Sequence, residues 1–307
     1  MKILESLELV LKQSDHVWVD KTKIREFAEN IDRNKILRHW LEISPFDLRE
    51  LGEEKLGFLV VFDSISFSYW GNPKWQVEYK NKSYDGSQAM LACLGRAIEG
   101  GKSFDPAYLE NIRREDLENI LRGNVEIPLL DERLRILHEI GSTAKEKFCG
   151  DFRYIIGQSK NDALQLVDLL VQYFSSFDDS VLYKGKRIIF NKRAQLLVSD
   201  LNYSFGGFDN FDQLTACADY KLPQILRRHG ILQYSNELQQ KIKRREELPS
   251  GSQMEVEIRA NTIHAVELIK GETEGLTSTQ INDYLWLEGQ LKLTTDEPYH
   301  LTRTTAY

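Results

Sequence analysis

The stretch Ala216–Leu226, ACADYKLPQIL, places a single acid, Asp219, behind three small residues and four positions ahead of Pro223. A residue that precedes proline is pushed toward an extended backbone, and proline suits the first turn of a helix. Asp219 is therefore expected in a bend just ahead of a helix N-terminus. Backbone N–H groups and the helix dipole can hold a carboxylate ionised there while it faces a cavity. Two uses stay open for it on this pattern: an anion for catalysis, or a cap of the turn that pairs with Lys221.

Three more constellations could carry chemistry. Lys192 and Arg193 fall where a strand runs into a helix, in IIFNKRAQLLVSD. Two cations beside the free donors of a helix start can bind a phosphate; the alternative is a solvated pair or a salt bridge to an acid such as Asp200. Glu255 and Arg259 are spaced one helical turn apart. Arg259 shares a stripe with Val256, Ile263 and Val266, so it needs a partner on burial, either Glu255 or an anionic ligand. INDYLWLEGQ (281–290) brings Asn282, Asp283, Tyr284, Trp286 and Glu288 within three turns. Amides and carboxylates can read the donor edge of a purine and aromatic rings can stack on its face, or the rings simply pack.

Bulk properties remove other classes. The 307 residues carry a net charge of −7, whereas duplex binders usually show a basic excess, so long DNA or RNA is not the expected partner. No apolar run is long enough to span a membrane, and the N-terminus lacks a signal-peptide pattern. Cys93, Cys149 and Cys217 are scattered, without a CxxC pair, which fits a reducing cytoplasm. The six histidines show neither HxxH nor HExxH, so no metal site is expected.

The elements that must position these residues read as mostly helical. Residues 1–50 show helical spacing at Ile3, Leu7, Val10 and Leu11, and again at Ile24, Phe27 and Ile31. FLVVFDSISFSYW (58–70) reads as a strand, with Ile65, Phe67 and Tyr69 alternating with serines. WQVEY and SYDG around KNK suggest a hairpin, and SQAMLACLGRAIE (87–99) a helix stopped by Gly100 and Gly101. Residues 105–150 are helical, with Gly141 as the stop of DERLRILHEI, and 160–175 form another helix. YKGKRIIF is a short strand running into a helix at KRAQLLVSDL. A helix over 223–229 closes at Gly230, and KIKRREELPSGS is a charged connector. Ser252 and Glu255 form a capping box whose helix ends at Gly271, and the last helix covers Thr279–Leu291. No strand-GxGxxG unit or GxxxxGK[ST] loop is present, so those modes of nucleotide binding are not indicated.

Taken in order, FDSISFSYW, VEYKNKSYDG, IPLLDERLRILHEIG, KRAQLLVSD, ADYKLPQILRRHGIL, EVEIRANTIHAVELI and DYLW resemble the queuosine salvage family, the queuosine 5'-phosphate N-glycosylases, over nearly the whole chain. The resemblance implies one domain over 1–307, with 1–50 as a helical segment packed on the core. It implies a mainly α fold with a few short strands, similar to helix-hairpin-helix DNA glycosylases. It further implies cleavage of the N-glycosidic bond of queuosine 5'-monophosphate, releasing queuine for tRNA modification and ribose 5-phosphate, with no cofactor. The family's catalytic aspartate matches Asp219, and its base-binding residues around DYLW match Asn282, Asp283 and Tyr284. The family's acid after the tryptophan is Leu287 here, with Glu288 as its replacement. Cys217 stands where some relatives have Phe, and His39 replaces a base-contacting histidine. Lys192, Arg193 and Arg259 are the cations available for the 5'-phosphate. A DNA or RNA base-excision glycosylase and a non-catalytic queuine carrier are the rival readings.

The chemistry of the implied substrate explains the need for these groups. Queuine is a 7-deazaguanine, so no proton can be placed on N7 to improve the leaving group. Two routes remain. An anion can stabilise the oxocarbenium-like sugar, and donors can accept the charge of the departing base.

Overall fold

The structure, a computed structural model, describes residues 2–307. Amphipathic spacing sets the first elements. α1 (Lys2–Gln13) buries Ile3, Leu7 and Val10, and α2 (Lys21–Glu29) buries Ile24, Phe27 and Ala28, with Asp20 capping its first turn. The short strand β1 (Val17–Val19) lies between them, so the N-terminal region is not helical throughout.

The segment expected as a strand over 58–70 is instead the helix α3 (Lys55–Ser64) followed by an irregular stretch outside any sheet, with Ser68 at φ +41°. The physical reason is burial on all sides. Phe58 to Ser64 are every one buried, which a period of two does not describe and an all-round apolar helix does. The serines beyond it are not a wet face either. Ser66 Oγ pairs with Tyr69 Oη at 2.9 Å and Ser68 Oγ donates to the Thr304 carbonyl at 2.7 Å. In place of a sheet partner, the backbone over 65–70 is held by the buried Arg133, which donates to the Ile65 and Phe67 carbonyls. The Ser68 N–H adds a bond of 2.8 Å to the Tyr307 carbonyl.

The expected hairpin is β2 (Gln76–Tyr79) and β3 (Lys82–Asp85), leading into α4 (Gly86–Glu99). Residues 105–150 divide into α5 (Pro106–Asn111), α6 (Arg114–Ile120) and α7 (Leu130–Lys147). Gly141 does not stop α7; it lies inside it. A Cβ there would sit 2.2 Å from the backbone nitrogen of Glu110, so the glycine lets α5 lie directly on α7. α8 (Arg153–Gln158) and α9 (Ala163–Tyr173) follow, then the hairpin of β4 (Ser180–Tyr183) and β5 (Lys186–Ile189).

α10 (Lys192–Phe205) is buried along most of its length. α11 (Lys221–Arg228) starts two residues ahead of Pro223, and Gly230 takes φ +70° just past its end. β6 (Leu232–Tyr234) pairs with β1, and α12 (Asn236–Lys243) takes up the start of the charged connector. α13 (Gln253–Glu272) packs against α1, α2, α11 and α14 (Ser278–Glu288). Ser252 precedes α13, but its hydroxyl makes no capping bond; Glu255 accepts from the Gly251 N–H at 3.0 Å instead. Gly271 lies within α13, which ends at Glu272.

The apolar side chains gather in three clusters. The largest lies among α3, α4, α7, α9 and α10, a second under α2, α11, α13 and α14, and a third between α1, the β4–β5 hairpin and α13. The chain is mainly helical, with three two-stranded antiparallel pairs among the described residues. No helix of the described residues is long and apolar enough to cross a membrane.

Candidate active site

Asp219 sits in the bend that its sequence foretold. Its Oδ1 accepts the backbone N–H groups of Lys221 at 2.7 Å and Leu222 at 3.0 Å, the first donors of α11. The Lys221 ammonium is turned away, toward Gln224 Oε1 and the Gly289 carbonyl, so the capping reading holds for one oxygen and an ion pair with Lys221 does not form. Oδ2 has no hydrogen-bonding partner among the described residues.

Three long helices pin the segment that carries this acid. From α10, Gln195 accepts the Thr215 N–H at 2.8 Å, and the Lys192 carbonyl receives the Cys217 thiol at 3.6 Å. From α14, Asn282 Oδ1 accepts the Cys217 N–H at 2.9 Å. From α13, Arg259 donates to the Ala218 carbonyl at 3.2 Å. Residues 215–218 are thus buried without belonging to any helix or sheet, and the three helices meet the Thr215 and Cys217 N–H groups and the Ala218 carbonyl.

Asp219 lines a cavity walled by aromatic and polar side chains together. Its wall includes Trp40, Phe62, Ser66, Tyr69, Lys192, Cys217, Tyr220, Asn282, Trp286, Tyr299 and Tyr307, and its mouth Lys74, Asp85, Ser87 and Lys221. Burial pushes the Asp219 carboxyl above the usual carboxylate range, while Lys192 and the two α11 N–H groups pull the other way. The Lys192 ammonium forms no ion pair or hydrogen bond among the described residues, but it acts at longer range on Asp219, Asp63 and Asp200.

The other two expected phosphate cations are elsewhere. Arg193 is fully buried, donating to the Ser64 and Ser176 carbonyls and lying over Phe67 and Phe177. Arg259 is equally buried. It grips Asp179 with two bonds, 2.8 and 2.5 Å, and approaches Glu255 at 3.7 Å, so its partner is chiefly Asp179. Neither reaches the cavity wall. Asp179 gave no local signal. It pairs with Arg259 across 80 positions while also accepting the Lys192 N–H at 3.1 Å, tying the hairpin to α10 and α13.

α14 presents two faces. Asn282, Trp286 and Gln290 recur every four residues and line the cavity. Tyr284 and Glu288 fall between them on the opposite side and do not. Tyr284 meets Phe27 edge-on, and Glu288 accepts from His229 at 2.8 Å and approaches Arg228 at 3.5 Å in a separate groove. Helical periodicity therefore excludes Tyr284 and Glu288 from the group around Asp219.

Asp283 and His39 lie behind the Trp40 wall. Asp283 Oδ1 accepts from Asn282 Nδ2 at 3.1 Å and its Oδ2 from the Trp40 N–H at 3.4 Å; burial pushes its carboxyl up to about 7. His39 stacks on Tyr203 at 3.9 Å, with Nε2 3.6 Å from both Asp200 and Asp283. Burial holds its imidazole down at about 3, hence neutral. Asp200 takes the Trp40 indole N–H at 2.8 Å. Asp63, on α3, is fully buried beside it, where a hydrogen bond between the two forms once one carboxyl is protonated, and burial drives both carboxyls well upward. This acid pair was hidden in the sequence, although an aspartate inside the apolar run FLVVFDS is the sort of residue that flags it.

Among the described residues no group of three or more His, Cys, Asp and Glu is placed to hold a metal ion. A mainly helical protein thus encloses an aromatic-walled cavity with a carboxylate at a helix start and a lysine beside it, the arrangement of a small-molecule site. The profile of the family described as queuosine salvage protein matches residues 46–307, and the chain belongs to that family. A protein of Sphaerobacter thermophilus is 41% identical, over 99% of this chain and 97% of its own length. One from Mus musculus is 34% identical over 99% and 98%, and one from Dictyostelium discoideum 32% over 99% and 98%. All three are named queuosine 5'-phosphate N-glycosylase/hydrolase.

Proposed function

We propose that this protein hydrolyses the N-glycosidic bond of queuosine 5'-monophosphate, releasing queuine and ribose 5-phosphate, and so serves queuosine salvage for tRNA modification. The observation that carries the reading is Asp219. One of its oxygens is fixed by two backbone N–H groups and the other is without a protein partner among the described residues, in a cavity lined by aromatic rings.

In this reading the bond from C1' to the base breaks with its electron pair leaving on the base. The Asp219 carboxylate stabilises the cationic sugar. Water then adds to C1' and gives a proton to Asp219, which passes it on toward the base. Preorganised charge of this kind contributes roughly 3–4 kcal/mol per group. Lys192 stands where it keeps Asp219 ionised and donates toward developing negative charge. Cys217 lines the same wall, and Trp40 and Trp286, with ring centroids 5.3 Å apart, offer faces to the base. Asn282 meets the cavity where the base edge would lie, with its Oδ1 taken by the Cys217 N–H, and Asp283 backs it through the Asn282 amide. His39 supports this edge from behind rather than from the wall.

We also read 1–307 as one domain, since α1 packs on the β4–β5 hairpin and on α13, far along the chain. Kinship of the helical fold with helix-hairpin-helix DNA glycosylases, and action in the cytoplasm, belong to the same reading. The test is mass spectrometry of products after incubation with queuosine 5'-monophosphate. Queuine and ribose 5-phosphate are expected. Binding of queuine with no cleavage would make the protein a carrier, and base release from an oligonucleotide would make it a nucleic-acid glycosylase.

A further inference from the structure

Arg259 does not line the cavity, yet its contacts lead to two charged groups that do, Asp219 and Lys192. Nε donates at 3.2 Å to the carbonyl of Ala218, the residue directly ahead of Asp219. Nη1 and Nη2 grip the two carboxylate oxygens of Asp179 at 2.8 and 2.5 Å. Asp179 in turn holds the start of α10. Its carbonyl accepts the Phe190 and Asn191 N–H groups at 2.9 and 3.2 Å, and its Oδ2 accepts the Lys192 N–H at 3.1 Å. Successive donors thus end on one residue, across a left-handed Asn191 (φ +49°) from which α10 and the Lys192 side chain set out. The guanidinium is itself held in place. It is 1% exposed and lies against the rings of Phe190 and Tyr307, 3.9 and 4.5 Å from their centroids. Such a bridge needs a planar fork of fixed donors, which a lysine does not supply.

We infer that Arg259, acting through Asp179 and the Ala218 carbonyl, is a positioning residue that fixes the Asp219 carboxylate and the Lys192 ammonium relative to each other. The inference rests on the proposed hydrolysis, in which Lys192 keeps Asp219 ionised. Gln195 and the Cys217 thiol also join the two segments, at Thr215 and at the Lys192 carbonyl; Arg259 adds the link nearest to Asp219. The titratable groups that face the Asp219 carboxyl are Lys192 from α10, Lys221 from α11, and Cys217 and Tyr220 from its own segment, while α14 turns uncharged side chains to the cavity. Burial keeps the Cys217 thiol and the Tyr220 phenol protonated, hence uncharged. Lys221 moves with the bend, because its own N–H holds Asp219 Oδ1. Lys192 belongs to another helix, so its pull on Asp219 is the one that depends on the bridge.

The test compares wild type with Arg259→Lys, Asp179→Asn and Glu255→Gln. It measures kcat and KM for queuosine 5'-monophosphate against pH, and follows the Asp219 carboxyl directly by carbon NMR. Asp179→Asn puts an amide donor where Arg259 and the Lys192 N–H both donate. Loss of its negative charge alone lowers the proton affinity of Asp219, whereas release of Lys192 raises it, so the sign separates the two effects. Arg259→Lys and Asp179→Asn are expected to lower kcat roughly ten- to hundredfold with KM within about threefold of wild type. Both should also move the acid limb and the NMR titration of Asp219 up by about half a unit or more. Glu255 lies 3.7 Å from Arg259 and bonds neither Ala218 nor Lys192, so Glu255→Gln should leave the Asp219 titration in place. Should Arg259→Lys not fold, Asp179→Asn decides alone. A lowered Tm in Asp179→Asn with kcat and the Asp219 titration unchanged would make the bridge a purely structural ion pair and overturn the inference. A downward shift of that titration, or an equal upward shift in Glu255→Gln, would overturn it too. Absence of hydrolysis by wild type would instead remove the proposed reaction, while the NMR titration would still decide the positioning.

Discussion

At the scale of single residues, the account turns on how Asp219 divides its two oxygens. Oδ1 belongs to the helix start and Oδ2 to the cavity. Because burial raises its proton affinity, the acid limb of kcat/KM should lie above the ordinary aspartate value of about 3.9. Activity is present above that limb and lost as pH falls through it, which a pH–rate profile checks. Asn282 acts one step removed, since its side-chain oxygen satisfies the buried Cys217 N–H. Leaving such a donor unpaired costs about 1–3 kcal/mol. Asn282→Ala should therefore lower kcat/KM by roughly ten- to hundredfold, with part of the loss in kcat; a change in KM alone would reduce Asn282 to a contact of the base. Asp219 itself was legible, because proline chemistry marks its bend locally. The fates of Arg193 and Arg259 were not: their partners lie up to 129 positions away, and spacing along one element cannot reveal them.

At the scale of elements, α14 shows what periodicity could still have told. Residues 282, 286 and 290 share a face, so a motif read as one contiguous recognition stretch actually splits between the cavity and a separate groove. The stretch 58–70 shows the limit. Its second half alternates as a strand does, but its backbone is met by Arg133 and Tyr307, partners no local pattern names. Gly141 is legible only afterwards, as a contact between helices rather than a stop. Gly141→Ala should destabilise the protein by about 1–3 kcal/mol through overpacking of α7 on α5. Denaturant unfolding measures this, and an unchanged midpoint would show that the two helices can part freely.

At the scale of the whole molecule, a net charge of −7 coexists with local lysine clusters, as where Lys74 and Lys292 share Asp85. The interior also stores carboxyls out of reach of water. Asp63 and Asp200 are fully buried with proton affinities pushed well upward by that burial. Folding therefore takes up protons that the unfolded chain releases, and stability falls as pH rises toward the folded-state values. The stability they contribute is full below the unfolded value of about 3.9 and is lost as pH rises toward their raised folded-state values. Asp63→Asn, which cannot ionise, should shrink the loss of Tm as pH rises above the ordinary aspartate value of about 3.9. An undiminished slope would mean that Asp63 is already ionised and matched, by Lys192 for instance.

The central claim is that the Asp219 carboxylate makes the sugar–base bond break. The direct measurement is single-turnover hydrolysis of queuosine 5'-monophosphate by Asp219→Asn, with substrate binding and thermal unfolding measured beside it. A drop of roughly two or more orders of magnitude in rate, with binding and Tm largely retained, is the expected result. Wild-type turnover in that variant would contradict the account outright.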